Sequence, residues 1–393
     1  MSEKGENKSD ELSKLDFLDY IVNIHDKDEG YSRAYYSYPA KFLSHVPQKL
    51  IEKFTSKNDL VLDPYSGGGT TALEASLLGR KVSVYDINPL AILITNAKTT
   101  KLIPNKVKLS LSKVLKIKNE VEYNHQFMDE YDEFLLGQKI SMEINNIAHV
   151  IKELDDLRYQ NFFNLALIHS IKIVGRRDFN ARFKQKNQTN LSKFLPSMQD
   201  LPKGASIIPI FRNKVFNMLE GNNRLPDNIS ENVKIHHQSN HKLDEKDGSV
   251  DLIITSPPYK DLDVEYLQIQ IQRPEHKRSK RTLFINKLLE KEYVKKEVLC
   301  GLKRDHYWEN IKPTLSECAR VLKKKKYAFF WIGFKTTEDY KHFCKLLIDY
   351  HFTILKTQDV LLSDNRAASS RSTHHKKETH MMQRDYLIVC QRD

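Results

Sequence analysis

Residues 59–99 constrain the fold more than any other stretch of this chain. The short apolar run Asp59–Leu62 predicts a strand ending at Asp63, and Pro64-Tyr65-Ser66-Gly67-Gly68-Gly69-Thr70-Thr71 follows at once. Three successive glycines let a backbone turn tightly against a ligand, because no Cβ stands in the way. Thr70–Gly79 then carries helical periodicity, with Gly79 as its stop. Lys81–Tyr85 predicts a second strand, ending at Asp86. Pro89 through Thr99 predicts another helix, with proline in the first turn, where its missing N–H is not needed. Strand, glycine loop, helix, strand and acid form the opening of a doubly wound α/β sheet.

That opening also predicts a ligand. The helix after the glycines offers free N–H groups and a positive dipole end, suited to a carboxylate, a phosphate or a nucleotide-like group. Asp86, 23 positions beyond Asp63, can accept hydrogen bonds from ribose hydroxyls. The pair points to an adenosine-bearing cofactor. The loop is not a P-loop, because no Gly-Lys-Ser/Thr follows it.

Sheet signals resume late in the chain. Val233–His236 and Ser249–Thr255 read as strands, Trp308–Leu322 as an amphipathic helix and Tyr327–Ile332 as a central strand. Phe352–Leu362 and Asp385–Cys390 are further strand candidates, separated by the basic polar stretch Ser363–Arg384. Directly after the apolar Ser249–Thr255 run comes Ser256-Pro257-Pro258-Tyr259. Two prolines remove two donors but leave their carbonyl acceptors, which suits a ligand amino group. Ser256 adds a hydroxyl, and Tyr259 adds an aromatic face on which a base can stack. The loop falls at the carboxyl edge, where such sheets hold ligands.

Between these halves the pattern changes. Residues 1–30 read as a charged N-terminal arm with one short helix near Leu15–Ile24, and Tyr31–Lys41 holds four tyrosines and a proline. Val46–Phe54 reads as an amphipathic helix. Residues 31–100 form the cofactor half, 101–230 a lysine-rich helical insert, and 231–393 the catalytic half. Helices are expected at Leu109–Val121, Phe134–Leu157 and Asn161–Val174, followed by a basic polar segment from Gly175.

Composition narrows the partner. The 393 residues are 40% hydrophobic and 29% charged, as in a soluble globular protein. A net charge of +12 favours a polyanion, nucleic acid foremost. Cys300, Cys318, Cys344 and Cys390 form no CxxC pair, so neither a zinc site nor a disulfide framework is expected. His374, His375 and His380 lack the neighbours that would complete a ligand set, and no metal is expected. The polar start is not a secretory signal, and no apolar run reaches the length of a membrane span. A cytoplasmic, nucleoid-associated protein without membrane contact, monomeric or dimeric, is expected.

The motifs resemble those of the amino-group DNA methyltransferases. Asp63–Thr71 is similar to that family's cofactor motif DPFxGSGTT, with Gly68 in place of serine. Thr255–Tyr259 is similar to its catalytic motif, (D/N/S)-P-P-(Y/F/W). The stretches YSYPAKF (36–42), DINPLA (86–91) and RDYLIVCQR (384–392) resemble further segments of a prokaryotic group of these enzymes. The resemblance covers about half of the chain and leaves the insert unmatched. It implies a Rossmann-like, mostly parallel seven-stranded sheet with an antiparallel last strand, and S-adenosylmethionine as cofactor. It implies cofactor contacts from Pro39, Lys41, Phe42, Asp63, Tyr65, Gly67, Gly69, Thr70, Asp86, Ile87, Asn88 and Asn240. It implies a pocket for a flipped base at Ser256, Pro257, Pro258 and Tyr259. Family members carry an acid near the adenine amino group, whereas this chain has His237-Gln238-Ser239-Asn240 there.

Serine before Pro-Pro goes in this family with cytosine, and Asp or Asn with adenine. Ser256 therefore implies methylation of the exocyclic N4 of cytosine in double-stranded DNA, as the modification half of a restriction–modification system with any nuclease on a separate chain. Adenine N6 methylation, RNA amine methylation and a non-catalytic DNA-binding role are the alternatives. A ring-carbon mechanism is excluded by sequence, since none of the four cysteines follows a proline. Basic groups available to phosphates are Arg176, Arg177, Arg182, Lys184 and Lys186 in the insert; Lys277, Arg278, Lys280 and Arg281 after the catalytic motif; and Arg366, Arg371, Lys376 and Lys377 near the end. Glu265 and Tyr266 are candidates for shaping the pocket.

Overall fold

The computed structural model describes residues 18, 30–38, 42–116, 136–185, 206–260, 304–360 and 384–393, with backbone alone at 175–185, 304–305 and 360. Seven strands form one sheet: β1 Leu60–Asp63, β2 Lys81–Tyr85, β3 Val233–His236, β4 Val250–Thr255, β5 Leu322–Phe334, β6 Phe352–Val360 and β7 Arg384–Arg392. Their spatial order is β3-β2-β1-β4-β5-β7-β6. Neighbours from β3 through β5 are parallel, and β7 runs antiparallel to both β5 and β6. The expected sheet, with its antiparallel last strand, is present.

Side-chain alternation along the strands sorts the core into two faces. Leu62, Ile253, Ala328, Phe330 and Ile388 share one cluster with helices α8 (Arg304–Val321) and α9 (Thr337–Asp349). Val61, Leu252, Ile254, Phe329 and Val389 share another with helices α1 (His45–Phe54) and α2 (Thr70–Leu77). Helix α3 (Pro89–Lys98) is buried nearly all round, and its apolar side chains belong to a third cluster.

That third cluster contains the middle of the chain. Helices α4 (Pro104–Leu115), α5 (Gln138–Lys152), α6 (Leu157–Gln185) and α7 (Ile208–Asn223) pack with α3 and with Tyr35, Tyr36 and Tyr38. The helical character expected for this region holds, with two differences. The basic stretch from Gly175 continues α6 rather than following it, and α7 was not separately anticipated. The tyrosine segment is held by the insert: Lys172 on α6 donates to the Ser37 carbonyl at 3.1 Å and lies 4.6 Å over the Tyr36 ring. No described helix is long and apolar enough to cross a membrane.

Gly221 marks the closest approach of α7 to the tyrosine segment. A Cβ built there would lie 2.0 Å from the Tyr31 carbonyl oxygen. Alanine normally improves a helix by ~1 kcal/mol over glycine. Here the clash is with backbone and no rotamer relieves it, so overpacking decides the sign. Gly221→Ala is expected to destabilise by about 1–3 kcal/mol or more, read as a lower midpoint in urea unfolding. An unchanged or raised midpoint would refute this contact.

Candidate active site

Strands β1, β2 and β4 run parallel, so Asp63, Asp86 and Thr255 come to the same sheet edge. Because β7 runs the other way, its first residues pair with the end of β5, and Asp385 faces Gly333 there. Both sequence motifs thus meet at the carboxyl edge.

The glycine loop folds over the end of β2. Ser66 N–H donates to the Tyr85 carbonyl at 2.9 Å, and Gly67 N–H donates to Asp86 Oδ2 at 2.8 Å. Gly67 (φ 48°) and Gly69 (φ 68°) occupy the left-handed region that glycine tolerates. A Cβ on Gly69 would stand 2.6 Å from Thr95 Oγ1, and one on Gly67 would stand 3.2 Å from the Tyr38 ring. Buried Lys98 donates to the Gly68 carbonyl at 2.8 Å. Asn88 caps α3 by accepting from Leu90 N–H at 3.0 Å, and its amide donates to Tyr38 Oη at 3.1 Å. The tyrosine segment therefore forms a wall of the glycine loop.

Asp86 also accepts from Asn88 N–H, through Oδ1 at 2.8 Å. Each carboxylate oxygen has one backbone partner, which leaves each a further lone pair. Burial pushes this carboxyl up to about 6, against the opposing pull of the Asn88 and Gly67 N–H groups, and the Asp63 charge adds to the rise. Asp63 is likewise pushed up to about 6 by burial. Its Oδ1 accepts from Tyr65 N–H at 3.1 Å and from Thr255 Oγ1 at 2.8 Å, which ties the glycine-loop segment to the Ser-Pro-Pro-Tyr segment.

Beneath the loop runs a buried polar chain. Tyr65 Oη donates to Thr314 Oγ1 at 3.2 Å, Thr314 donates to Asn240 Oδ1 at 2.7 Å, and Asn240 Nδ2 donates to the Pro64 carbonyl at 2.6 Å. Asn240 and Tyr65 thus brace the loop from below. Ile87 is half-buried, and His237 Nε2 hydrogen-bonds its carbonyl at 3.3 Å. Thr70 is buried at the start of α2. Phe42 packs edge-on against Trp331 within the core, ring centroids 5.7 Å apart.

The Ser-Pro-Pro-Tyr segment is pinned on both sides. Tyr307 Oη donates to the Pro258 carbonyl at 2.9 Å. Tyr259 Oη donates to Asp385 Oδ2 at 2.9 Å, and Trp331 Nε1 donates to the same oxygen at 3.3 Å. Lys260 forms an ion pair with Asp339 at 2.7 Å, both side chains 4% exposed, and its ammonium lies 6.0 Å from the Trp308 ring centre. Ser256 is half-buried.

Several expected contributors lie outside the described residues: Pro39, Lys41, Lys186, Glu265, Tyr266, Lys277, Arg278, Lys280, Arg281, Arg366, Arg371, His374, His375, Lys376, Lys377 and His380. Arg176, Arg177, Arg182 and Lys184 lie on α6, where only the backbone is described. Among the described residues no group of three His, Cys, Asp or Glu side chains could hold a metal ion. Sequence reasoning missed Tyr38, Lys260, Tyr307, Asp339 and Asp385. Asp385 did leave a signal, a carboxylate at the head of the apolar run Tyr386–Cys390.

The sheet order, with a glycine loop and an acid at its carboxyl edge, defines a Rossmann-like methyltransferase fold. Residues 3–97 match the family model described as DNA methylase. The Type II methyltransferase M.MvaI of Kocuria varians is 26% identical over 283 residues, covering 66% of this chain and 61% of that protein. The Type II methyltransferase M.BsoBI of Geobacillus stearothermophilus is 32% identical over 96 residues, covering 21% of this chain and 19% of that one. Over these stretches the chain is similar to DNA methyltransferases, and it spans less than two thirds of the length of these curated relatives. Among solved structures, a TehB-like SAM-dependent methyltransferase from Corynebacterium glutamicum aligns over 99% of both chains, at 9% identity and a TM-score of 0.32.

Proposed function

We propose that the chain is a site-specific DNA methyltransferase that moves a methyl group from S-adenosylmethionine to the exocyclic N4 of cytosine, as the modification enzyme of a prokaryotic restriction–modification system. The observation that carries this reading is the Asp63–Thr255 hydrogen bond, which couples the glycine loop to the Ser-Pro-Pro-Tyr loop at one sheet edge. The residues fit the cofactor: Gly67 leaves open a cradle that a Cβ would fill against Tyr38, and Asp86 keeps lone pairs for two ribose hydroxyls. When bound, S-adenosylmethionine supplies a sulfonium-activated methyl group.

The chain's own residues supply position and polarity. Asp86 orients the ribose, and the N–H groups at the start of α2 face the anionic end of the ligand. The target base leaves the duplex, at a cost of a few kcal/mol, and stacks on Tyr259. Ser256 Oγ and the Pro257 carbonyl accept the two amino N–H bonds. Those bonds favour a pyramidal nitrogen, whose lone pair would take the methyl group as its bond to the sulfonium sulfur breaks, releasing the neutral thioether, with the surplus amino proton lost to solvent. Positioning and electrostatics account for the acceleration, and no covalent bond to the enzyme is required. Buried Cys318 and Cys390 have thiols pushed well up by burial, which suits packing rather than nucleophilic attack. Residues 101–230 act as the target-recognition region, and the basic groups named above neutralise phosphates.

The test is incubation with DNA and methyl-labelled cofactor, followed by nucleoside mass analysis and mapping of the modified positions. N4-methylcytosine is expected at a defined sequence. N6-methyladenine alone would overturn the base assignment, and unlabelled DNA would overturn the activity. A Ser256→Ala, Tyr259→Ala double variant is expected to lose transfer; retained transfer would refute the site.

A further inference from the structure

We infer that Asp385 is a positioning residue for Tyr259: by accepting the phenol hydrogen bond it sets the plane of the ring on which the displaced base stacks. This rests on the base-pocket reading above and extends it to a residue two strands away at the same sheet edge. Asp385 is 6% exposed at the start of β7. A buried carboxylate is costly unless hydrogen-bonded, and an apolar residue would serve the strand better if packing were its only task. Burial pushes this carboxyl up, against the opposing hydrogen bonds from Tyr259 and Trp331.

The two donors differ in rigidity. Trp331 is fixed by the sheet, where it pairs with Leu387, and by the Phe42 ring. Its indole therefore holds the Asp385 oxygen in place. Tyr259 instead rides on the loop after β4. The backbone is anchored on one side by Tyr307 at the Pro258 carbonyl and on the other by the Lys260–Asp339 pair. The side chain of Tyr259 packs against the core clusters on its flanks, and the bond to Asp385 adds a directional constraint on its ring at the hydroxyl end. The ring stays half-buried, with part of its surface open.

A double-mutant cycle on the full chain tests this, with Tyr259→Phe, Asp385→Ala and both together. One hydrogen bond of about 1.4 kcal/mol corresponds to tenfold in rate. Each single variant is expected to lower kcat for DNA methylation about tenfold, and the double variant no further, with cofactor KM unchanged within about twofold. A double variant about a hundredfold slower, or either single variant at the wild-type rate, would overturn the inference. The same cycle read in urea unfolding needs no activity. Coupled midpoints support the Tyr259–Asp385 bond, and additive midpoints refute it. A wild-type chain that methylates nothing, yet shows coupled midpoints, would instead overturn the activity proposed above.

Discussion

Asp86→Ala is expected to weaken S-adenosylmethionine binding roughly a hundredfold to a thousandfold while leaving DNA affinity nearly unchanged. Hydrogen bonds to a charged group contribute ~1.5–3 kcal/mol each, so losing two to the ribose, each near the lower end of that range, removes roughly 3–4 kcal/mol, with tenfold for every ~1.4 kcal/mol. The same carboxylate receives the Gly67 and Asn88 N–H groups, so the loop loosens as well. Equilibrium titration with the cofactor reads the loss; a change of less than about threefold would show that Asp86 does not hold the ribose. The pH dependence follows from the same group. Its carboxyl is pushed up to about 6 in the folded chain, against about 3.9 when unfolded. The native state therefore binds the proton more tightly. Stability from this group is fully present below about pH 4 and is lost as pH rises through 6. Cofactor affinity moves the other way, since the protonated carboxyl is the poorer acceptor. Relative to Asp86→Asn, the wild-type apoprotein should gain stability from pH 7 to pH 5 while its cofactor affinity falls. Asp63, also raised to about 6, adds in the same direction. The comparison with Asp86→Asn removes its contribution to first order, along with the opposite trends of Asp251 and Glu317, whose carboxyls are held low.

Lys260→Ala is expected to destabilise the chain by about 3–5 kcal/mol, the scale for removing one partner of a buried ion pair. Lys260 and Asp339 are almost fully enclosed, and Asp339 sits in the first turn of α9, where its N–H donates to the Thr336 hydroxyl oxygen. Without the ammonium, the carboxylate is left in a poorly solvated place. Replacing both partners together, as Lys260→Met with Asp339→Leu, removes the charge problem and should recover most of the loss. Methyl transfer should remain below wild type in that pair, because the loop after Tyr259 has lost its directional anchor. Urea unfolding and single-turnover transfer separate the two effects. A Lys260→Ala chain as stable as the wild type would refute the buried pair.

Much of this architecture was legible because glycine, proline and apolar runs act locally. The β2 and β3 bounds follow directly from short apolar runs between polar breaks, and the Asp63-to-Asp86 spacing located the sheet edge at which the glycine loop meets the acid. Helix α9 escaped notice although Thr336 caps it and Phe343, Leu346 and Leu347 supply its buried face. Its stretch is short, and polar residues separate the apolar ones. Helix α7 was hidden similarly, its glycine and asparagines reading as a break, yet Gly221 is there for contact with Tyr31. The acceptors of the site illustrate the deeper limit. Asp385 is 126 positions from Tyr259, and Asp339 is 79 from Lys260. Such pairs depend on strand order and register, which no local pattern encodes.

The packing of the middle helices around α3 and the tyrosine segment bears on modularity. A recognition segment joined to its catalytic body only by linkers could be exchanged like a cassette between enzymes of different target sequence. Here Tyr35, Tyr36 and Tyr38 share one apolar interior with α4 to α7, and Lys172 and Lys214 reach back to carbonyls of that same strip. A transplant cut at the ends of the helical segment alone would strip the glycine loop of its wall. On the reading proposed above, in which the helical segment recognises the target, chimeras of this chain need residues 31–38 and α3 along with the helices, so that a new target sequence calls for co-adaptation rather than simple domain shuffling.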